Sequence, residues 1–250
     1  MHPPATRRLA RELVDGGATD SEVARRLAVY RSTVRLWRRE GWRDPLVRNT
    51  CFRCDPEASA PPDPAAYAHL LGLYLGDGCI SDLRRGVQVL RIACCDAYPR
   101  LIDECAASMD AVRPGPVSRV QAQGCQYVVG YWKHWSCVFP QHGPGRKHER
   151  EIMLAPWQQV IVEEHPGKLL RGLFHSDGCR VQNWAIGANG KRYEGYPRYL
   201  FENASTDIIG ICCAALDRLG IAHTRPRVRT VSVARRAAVA VLDEHVGPKS

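Results

Sequence analysis

The 250-residue chain has no apolar run near the roughly 18 residues that a membrane-spanning helix needs, so no helical span is expected. Its opening residues, MHPPATRRLA, carry charge but no apolar stretch of secretory type, so a cytoplasmic location is expected. The 11 cysteines are an odd number and cannot all pair. Cys94, Cys95, Cys212 and Cys213 sit in apolar segments, where a thiol behaves as a small hydrophobe. A secreted disulfide scaffold is therefore excluded, and reduced thiols are expected. Lysine is scarce, with five against 30 arginines, and acids are too few to balance the bases. The formal net charge of +9 points to a polyanionic partner. With 45% hydrophobic and 24% charged residues the chain can bury a core, in one to three domains.

More than half of that positive surplus lies in residues 1–50, which carry 11 arginines and six acids. Three helices are predicted there. The first, over 6–14, ends at Gly16–Gly17, and Thr19 with Glu22 forms a capping box that starts a second over 21–28. After a break at Val29–Tyr30, a third runs over 32–39 with Val34 and Trp37 on one face and arginines on the other. The stretch DSEVARRLAVYRSTVRLWRRE resembles helix-turn-helix domains of resolvase and transposase type. The resemblance implies that Arg31, Ser32, Thr33 and Arg35 reach base edges in the major groove, with Arg38 and Arg39 on phosphates. The alternative is a plain three-helix bundle with a solvated basic face.

Residues 55–64, DPEASAPPDP, hold four prolines and no large apolar side chain, and read as a linker. Just before them stands Cys51-Phe52-Arg53-Cys54. A closed structural zinc site needs four ligands, and no second CxxC or HxxxH follows at ribbon spacing. Zn²⁺ at Cys51 and Cys54 is thus not expected.

The strongest signal is an internal repeat. Aligning His69–Cys79 with Leu169–Cys179 yields six identities in 11 positions: Leu70/Leu170, Gly72/Gly172, Leu73/Leu173, Asp77/Asp177, Gly78/Gly178 and Cys79/Cys179. Gly72 and Gly76, like Gly172 and Ser176, lie four apart on one helical face, where small residues let two backbones approach closely. Each helix ends in Asp–Gly, whose glycine can adopt the left-handed cap conformation. A carboxylate at the negative end of a helix is disfavoured by a few tenths to about 1 kcal/mol. Two brought together by a two-fold axis would also repel. A divalent cation reverses both penalties, and oxygen ligands suit Mg²⁺.

This pattern resembles the LAGLIDADG homing endonuclease family over about residues 65–250. The resemblance implies an α+β fold: two pseudo-symmetric αββαββα LAGLIDADG halves behind a small all-α helix-turn-helix domain, acting as a monomer. The corresponding organisation is a helix-turn-helix domain at 1–45, a linker at 46–64, and halves at 65–155 and 156–250. It further implies saddle-shaped sheets straddling double-stranded DNA, with Asp77 and Asp177 binding the catalytic metals and the carbonyls of Gly76 and Ser176 as additional ligands. One departure is that the sixth motif position, acidic in the family's name sequence, is Leu75 in one copy and His175 in the other.

The flanks fit the same plan. Strands are predicted over 87–95, 116–121 and 125–132, with a helix over 98–112. In the second half Tyr199, Phe201 and Asn203 alternate as a strand, and Ile208 to Leu219 forms a striped helix ending at Gly220. FENASTDIIGICCAALDRLGI resembles the family's strand–helix junction. Arg225, Arg227 and Arg229 are predicted to share a strand face suited to phosphates, with a turn near Thr230. HGPGRK and HVGPK close the two halves with Lys147 and Lys249, and family members often carry a basic residue near the scissile phosphates. A solvated loop lysine is the alternative.

The reading is a bacterial, Mg²⁺-dependent, site-specific endodeoxyribonuclease making a staggered double-strand break. Its rival is a transcriptional regulator that binds DNA on the same scaffold without cutting. The chain lacks intein splicing blocks, while RNA maturase activity stays open.

Overall fold

The computed structural model describes residues 2, 4–39, 41–42, 51–55, 60–186 and 188–250. The chain divides into two units, Met1–Thr50 and Cys51–Ser250. No helix among the described residues is long and apolar enough to cross a membrane.

The first unit holds three helices, α1 (Pro4–Asp15), α2 (Asp20–Arg26) and α3 (Arg31–Arg39). Each is too short to persist alone in water. They are held by a small shared core of Ala10, Val23, Ala24, Val34 and Trp37. The capping box forms: the Glu22 amide donates to Thr19 Oγ1 and the Thr19 amide to a Glu22 carboxylate oxygen at 2.8 Å.

Much of the predicted linker, residues 46–50 and 56–59, lies outside the described residues. Its middle is no linker, however. Cys51 and Phe52 are buried in the core of the second unit, where the Phe52 ring meets the edges of Tyr67 and Trp157. These two apolar side chains decide where the stretch packs.

The second unit consists of two halves with one plan. The first runs α4 (Pro64–Asp77), β1 (Gly78–Asp82), β2 (Gln88–Cys95), α5 (Pro99–Val112), β3 (Val117–Ala122), β4 (Cys125–Trp132) and α6 (Trp135–Val138). A connecting helix α7 (Pro156–Glu164) leads to α8 (Pro166–Asp177), β5 (Gly178–Ile186), β6 (Arg192–Glu202), α9 (Thr206–Arg218), β7 (Thr224–Arg227), β8 (Thr230–Val233) and α10 (Arg236–Val246). Both halves are therefore αββαββα, although α6 is a single turn where α10 has 11 residues. The sheets have the same antiparallel order, β1-β2-β4-β3 and β5-β6-β8-β7.

Local chemistry explains the helix starts. Asp63 accepts the Ala66 amide at 2.9 Å and Pro64 opens α4; Ser205 caps α9. α4 is buried from Tyr67 through Leu75, as its apolar circumference requires. One core runs through both halves, with α4 against α8 at its centre and the helix-facing side of each sheet over them.

At the crossing, a Cβ on Gly72 would lie 2.8 Å from the Leu173 amide nitrogen and 2.9 Å from Gly172 Cα, and nearer still to the Leu169 carbonyl. A Cβ on Gly172 would meet Leu73 N and Gly72 Cα at the same distances. Only glycine permits this approach.

Two local expectations are corrected. Gly78 and Gly178 are extended (φ −88° and −103°), because a strand begins directly at each. Glycine is needed there for space: a Cβ on Gly78 would stand 2.5 Å from Tyr74 Cα, and one on Gly178 2.7 Å from Phe174 Cα. Arg229 does not share the β7 face with Arg225 and Arg227. It lies in the Val228–Arg229 turn, and the ladder with β8 is irregular between Thr224 and Arg227.

Candidate functional site

The paired helices α4 and α8 end side by side, so Asp77 and Asp177 emerge together at the pseudo-two-fold axis. A Cβ on Gly76 would lie 3.1 Å from Asp177 Oδ2, which puts the second carboxylate against the last turn of the first helix. Ser176 Oγ turns back to donate to the Gly172 and Leu173 carbonyls at 3.0 and 2.9 Å, keeping its bulk small at the interface.

The two loop lysines reach this same place. Lys147 Nζ donates to the carbonyls of Gly76 (2.7 Å), Leu75 (3.0 Å) and Tyr74 at the end of α4. Lys249 Nζ donates to the carbonyls of Gly178 (2.6 Å) and Ser176 (3.4 Å) at the end of α8. Each ammonium group thus neutralises the negative pole of one motif helix. The two are related by the pseudo-symmetry.

Electrostatics separates the pair of acids. Asp77 is exposed to solvent at the end of α4, with the mass of both helix ends behind it. Desolvation and then the Asp177 charge push its carboxyl up to about 6, against the pull of Lys147 and Lys249. Burial also raises Asp177, but Asn203 Nδ2 donates to its Oδ2 at 2.6 Å and holds it down, aided by both lysines. Lys147 is lowered to about 8 by burial, opposed by Asp177 and Asp77. Lys249 is lowered for the same reason.

The donor set is two carboxylates and backbone carbonyls, all hard oxygens, and the two ammonium groups show that the helix ends attract cations. These residues fit a divalent cation of Mg²⁺ type. The carbonyls of Gly76 and Ser176 are, however, engaged by the lysines. Leu75 and His175 are both buried, and neither supplies a carboxylate to this site.

The other predicted basic residues belong to elements outside the two motif helices. Along α3, Arg31, Ser32, Arg35, Arg38 and Arg39 are exposed and Thr33 partly so, while Val34 and Trp37 are buried. Two of these arginines are engaged within the unit: Arg38 pairs with Asp20 at 3.3 Å and Arg35 approaches it at 3.9 Å. Arg225, Arg227 and Arg229 are exposed, and Arg225 Nη2 donates to the Val228 carbonyl at 2.7 Å across the turn.

Sequence reasoning missed Asn203, which only the end of β6 brings to Asp177. It also missed Arg91 and Arg198, one on each sheet face directed away from the helices. Strand alternation was the available signal for Arg91: Leu90 and Ile92 are fully buried while Arg91 is half-buried. A further omission concerns the CxxC. His134 and Cys137, at the β4–α6 corner about 80 residues further on, stand beside Cys51 and Cys54. Neither residue lies near the CxxC in sequence, so local spacing carries no sign of them.

No protein-family model and no curated protein matches the chain. Among solved structures it is similar to the N-terminal LAGLIDADG domain of DUF199/WhiA, with TM-score 0.45 and 15% identity over 81% of this chain and 88% of that one. It is also similar to the homing endonuclease I-WcaI bound to its DNA recognition sequence (0.46, 12%, 76% and 84%). A third is I-DmoI in complex with DNA and Ca (0.43, 14%, 75% and 94%).

Proposed function

We propose that the protein binds double-stranded DNA across its two sheets and hydrolyses phosphodiesters at the junction of α4 and α8, as a site-specific endonuclease of LAGLIDADG homing type. The observation that carries this reading is the convergence of Asp77, Asp177, Lys147 and Lys249 on one pseudo-two-fold axis. A scissile phosphate on each strand would meet one acid and one lysine. Asp77 and Asp177 would hold the metal. Bound Mg²⁺ supplies Lewis-acid polarisation of a phosphoryl oxygen and a more acidic water. Lys147 and Lys249 place positive charge where negative charge develops on the phosphate oxygens, in a part-buried site where screening is weak. Arg91 and Arg198 on the sheets, and Arg225, Arg227 and Arg229 at the β7–β8 edge, supply phosphate contacts. In the N-terminal unit, Arg31, Ser32, Thr33 and Arg35 are proposed for base edges and Arg38 and Arg39 for phosphates.

The test is incubation of supercoiled library DNA with Mg²⁺, comparing wild type with Asp77→Asn and Asp177→Asn. Wild type nicks or linearises the DNA and both variants do not; equal nicking by all three refutes the assignment.

A second reading, a DNA-binding regulator that does not cut, is favoured by one feature. The lysines already engage the Gly76 and Ser176 carbonyls, and the site contains no second carboxylate from position 75 or 175. A mobility shift indifferent to EDTA, with no cleavage under any divalent cation, selects it.

A further inference from the structure

We propose that Cys51, Cys54, His134 and Cys137 together bind one structural Zn²⁺, clamping the segment that leads into α4 onto the β4–α6 corner. All four ligand atoms lie within 4.8 Å of one another. Cys54 Sγ is 3.7 Å from Cys137 Sγ and 3.5 Å from His134 Nδ1, and Cys137 Sγ is 3.7 Å from His134 Nδ1. A tetrahedron with zinc–sulfur and zinc–nitrogen bonds of ordinary length has edges of about 3.8 Å between sulfurs and about 3.6 Å between sulfur and nitrogen. The three spacings match those edges. The 3.7 Å between the Cys54 and Cys137 sulfurs is also far too long for a disulfide, whose sulfurs stand about 2 Å apart.

The backbone aims the donors. Cys54 N and Asp55 N both donate to the Cys51 carbonyl at 2.8 Å, making a tight turn that points both thiols the same way. Cys137 N and Val138 N donate to the His134 carbonyl at 3.1 and 3.2 Å, so the HxxC pair is presented by a second turn of the same kind. Three soft sulfurs and an imidazole select Zn²⁺ over the hard cations suited to Asp77 and Asp177. Four protein ligands leave no open position, which makes the role structural.

The clamp closes a long loop between residues 54 and 134, and so removes much chain entropy from the unfolded state. It also fixes Phe52 against Tyr67 and Trp157, and Arg53 over the Trp157 ring at 4.8 Å.

The experiment is metal analysis of the purified full-length protein, followed by exchange into Co²⁺. The expected result is roughly one zinc per chain and, with cobalt, the intense thiolate charge-transfer and visible bands of a tetrahedral sulfur-rich site. An oxygen site at the aspartates cannot produce those bands, so this outcome is independent of the nuclease reading. Cys54→Ser and Cys137→Ser should lose the zinc, whereas Cys95→Ser, at an exposed thiol elsewhere, keeps it. If a variant fails to fold, alkylation of the wild type decides: Cys54, an exposed thiol, should be protected until a chelator is added. Zinc-free wild type without cobalt–thiolate bands overturns the proposal. So does a Cys51–Cys54 disulfide by mass, zinc retention in Cys54→Ser, or Cys54 alkylation unaffected by the chelator.

Discussion

Replacing Gly72 by alanine tests the geometry on which the site depends. The added methyl would stand 2.8 and 2.9 Å from Leu173 N and Gly172 Cα, and closer to the Leu169 carbonyl. All three are backbone, so no side chain can swing away, and ordinary contact near 3.5–4.0 Å requires α4 and α8 to separate by about 1 Å. Overpacking of this sort costs about 1–3 kcal/mol, and rigid backbone neighbours place it near 3. Alanine's better helix propensity returns about 1 kcal/mol, leaving about 2 kcal/mol of net destabilisation. In a unit of this size that lowers Tm by about 4–8 °C. Gly210→Ala is the matched control. Gly210 is an exposed helical glycine in α9 with nothing within 4 Å of the new methyl, so this change should stabilise by about 0.5–1 kcal/mol. Calorimetry of the full chain reads both. If Gly72→Ala is as stable as wild type, or moves Tm upward as Gly210→Ala does, the close helix crossing is refuted.

Other consequences can be measured separately. Mg²⁺ affinity should rise as pH increases through about 6, because the Asp77 carboxyl releases its proton there; isothermal titration across that range would show a flat profile if Asp77 were not a ligand. The linked stability effect has the opposite sign: a carboxyl with a raised folded pKa favours the metal-free fold at low pH, and that contribution fades as pH rises through about 6. Lys147→Met should cut the cleavage rate while leaving DNA affinity nearly unchanged, and a proportional loss of both in single-turnover assays would demote it to a DNA contact. Arg225→Ala with Arg227→Ala should lower the slope of log affinity against log salt by about 0.9 per lost phosphate contact; an unchanged slope removes the β7 edge from the interface. Gln158→Leu, which breaks the buried chain from Gln141 through Gln158 to the Tyr67 hydroxyl (2.6 and 2.7 Å), should cost about 1–3 kcal/mol, read as a lower Tm.

What the sequence by itself determined is what is local or repeated. The Thr19–Glu22 box, the apolar circumference of α4 and the stripe of α9 each arise from residues a few positions apart. The repeat of glycine and aspartate at 72/172 and 77/177 then implied that two helices meet. Its small residues admit a close crossing, and they recur because both partners need one.

Tertiary structure alone decided which distant groups complete each site. Asn203 reaches Asp177 because β6 ends beside it. Lys147 and Lys249 become helix-end cations because their loops fold back by 71 residues or more onto the motif helices. Gly78 and Gly178 are needed for space rather than for a left-handed turn, which neighbours Tyr74 and Phe174 dictate and no dipeptide preference reveals. Cys51 and Cys54 gain His134 and Cys137 in the same way, across a sheet whose strand order no local spacing encodes. Pairings of that kind are closed by chain topology. The repeat could announce the acidic pair because both of its members carry one signature; the cysteine cluster, assembled from two unlike turns, had none to repeat.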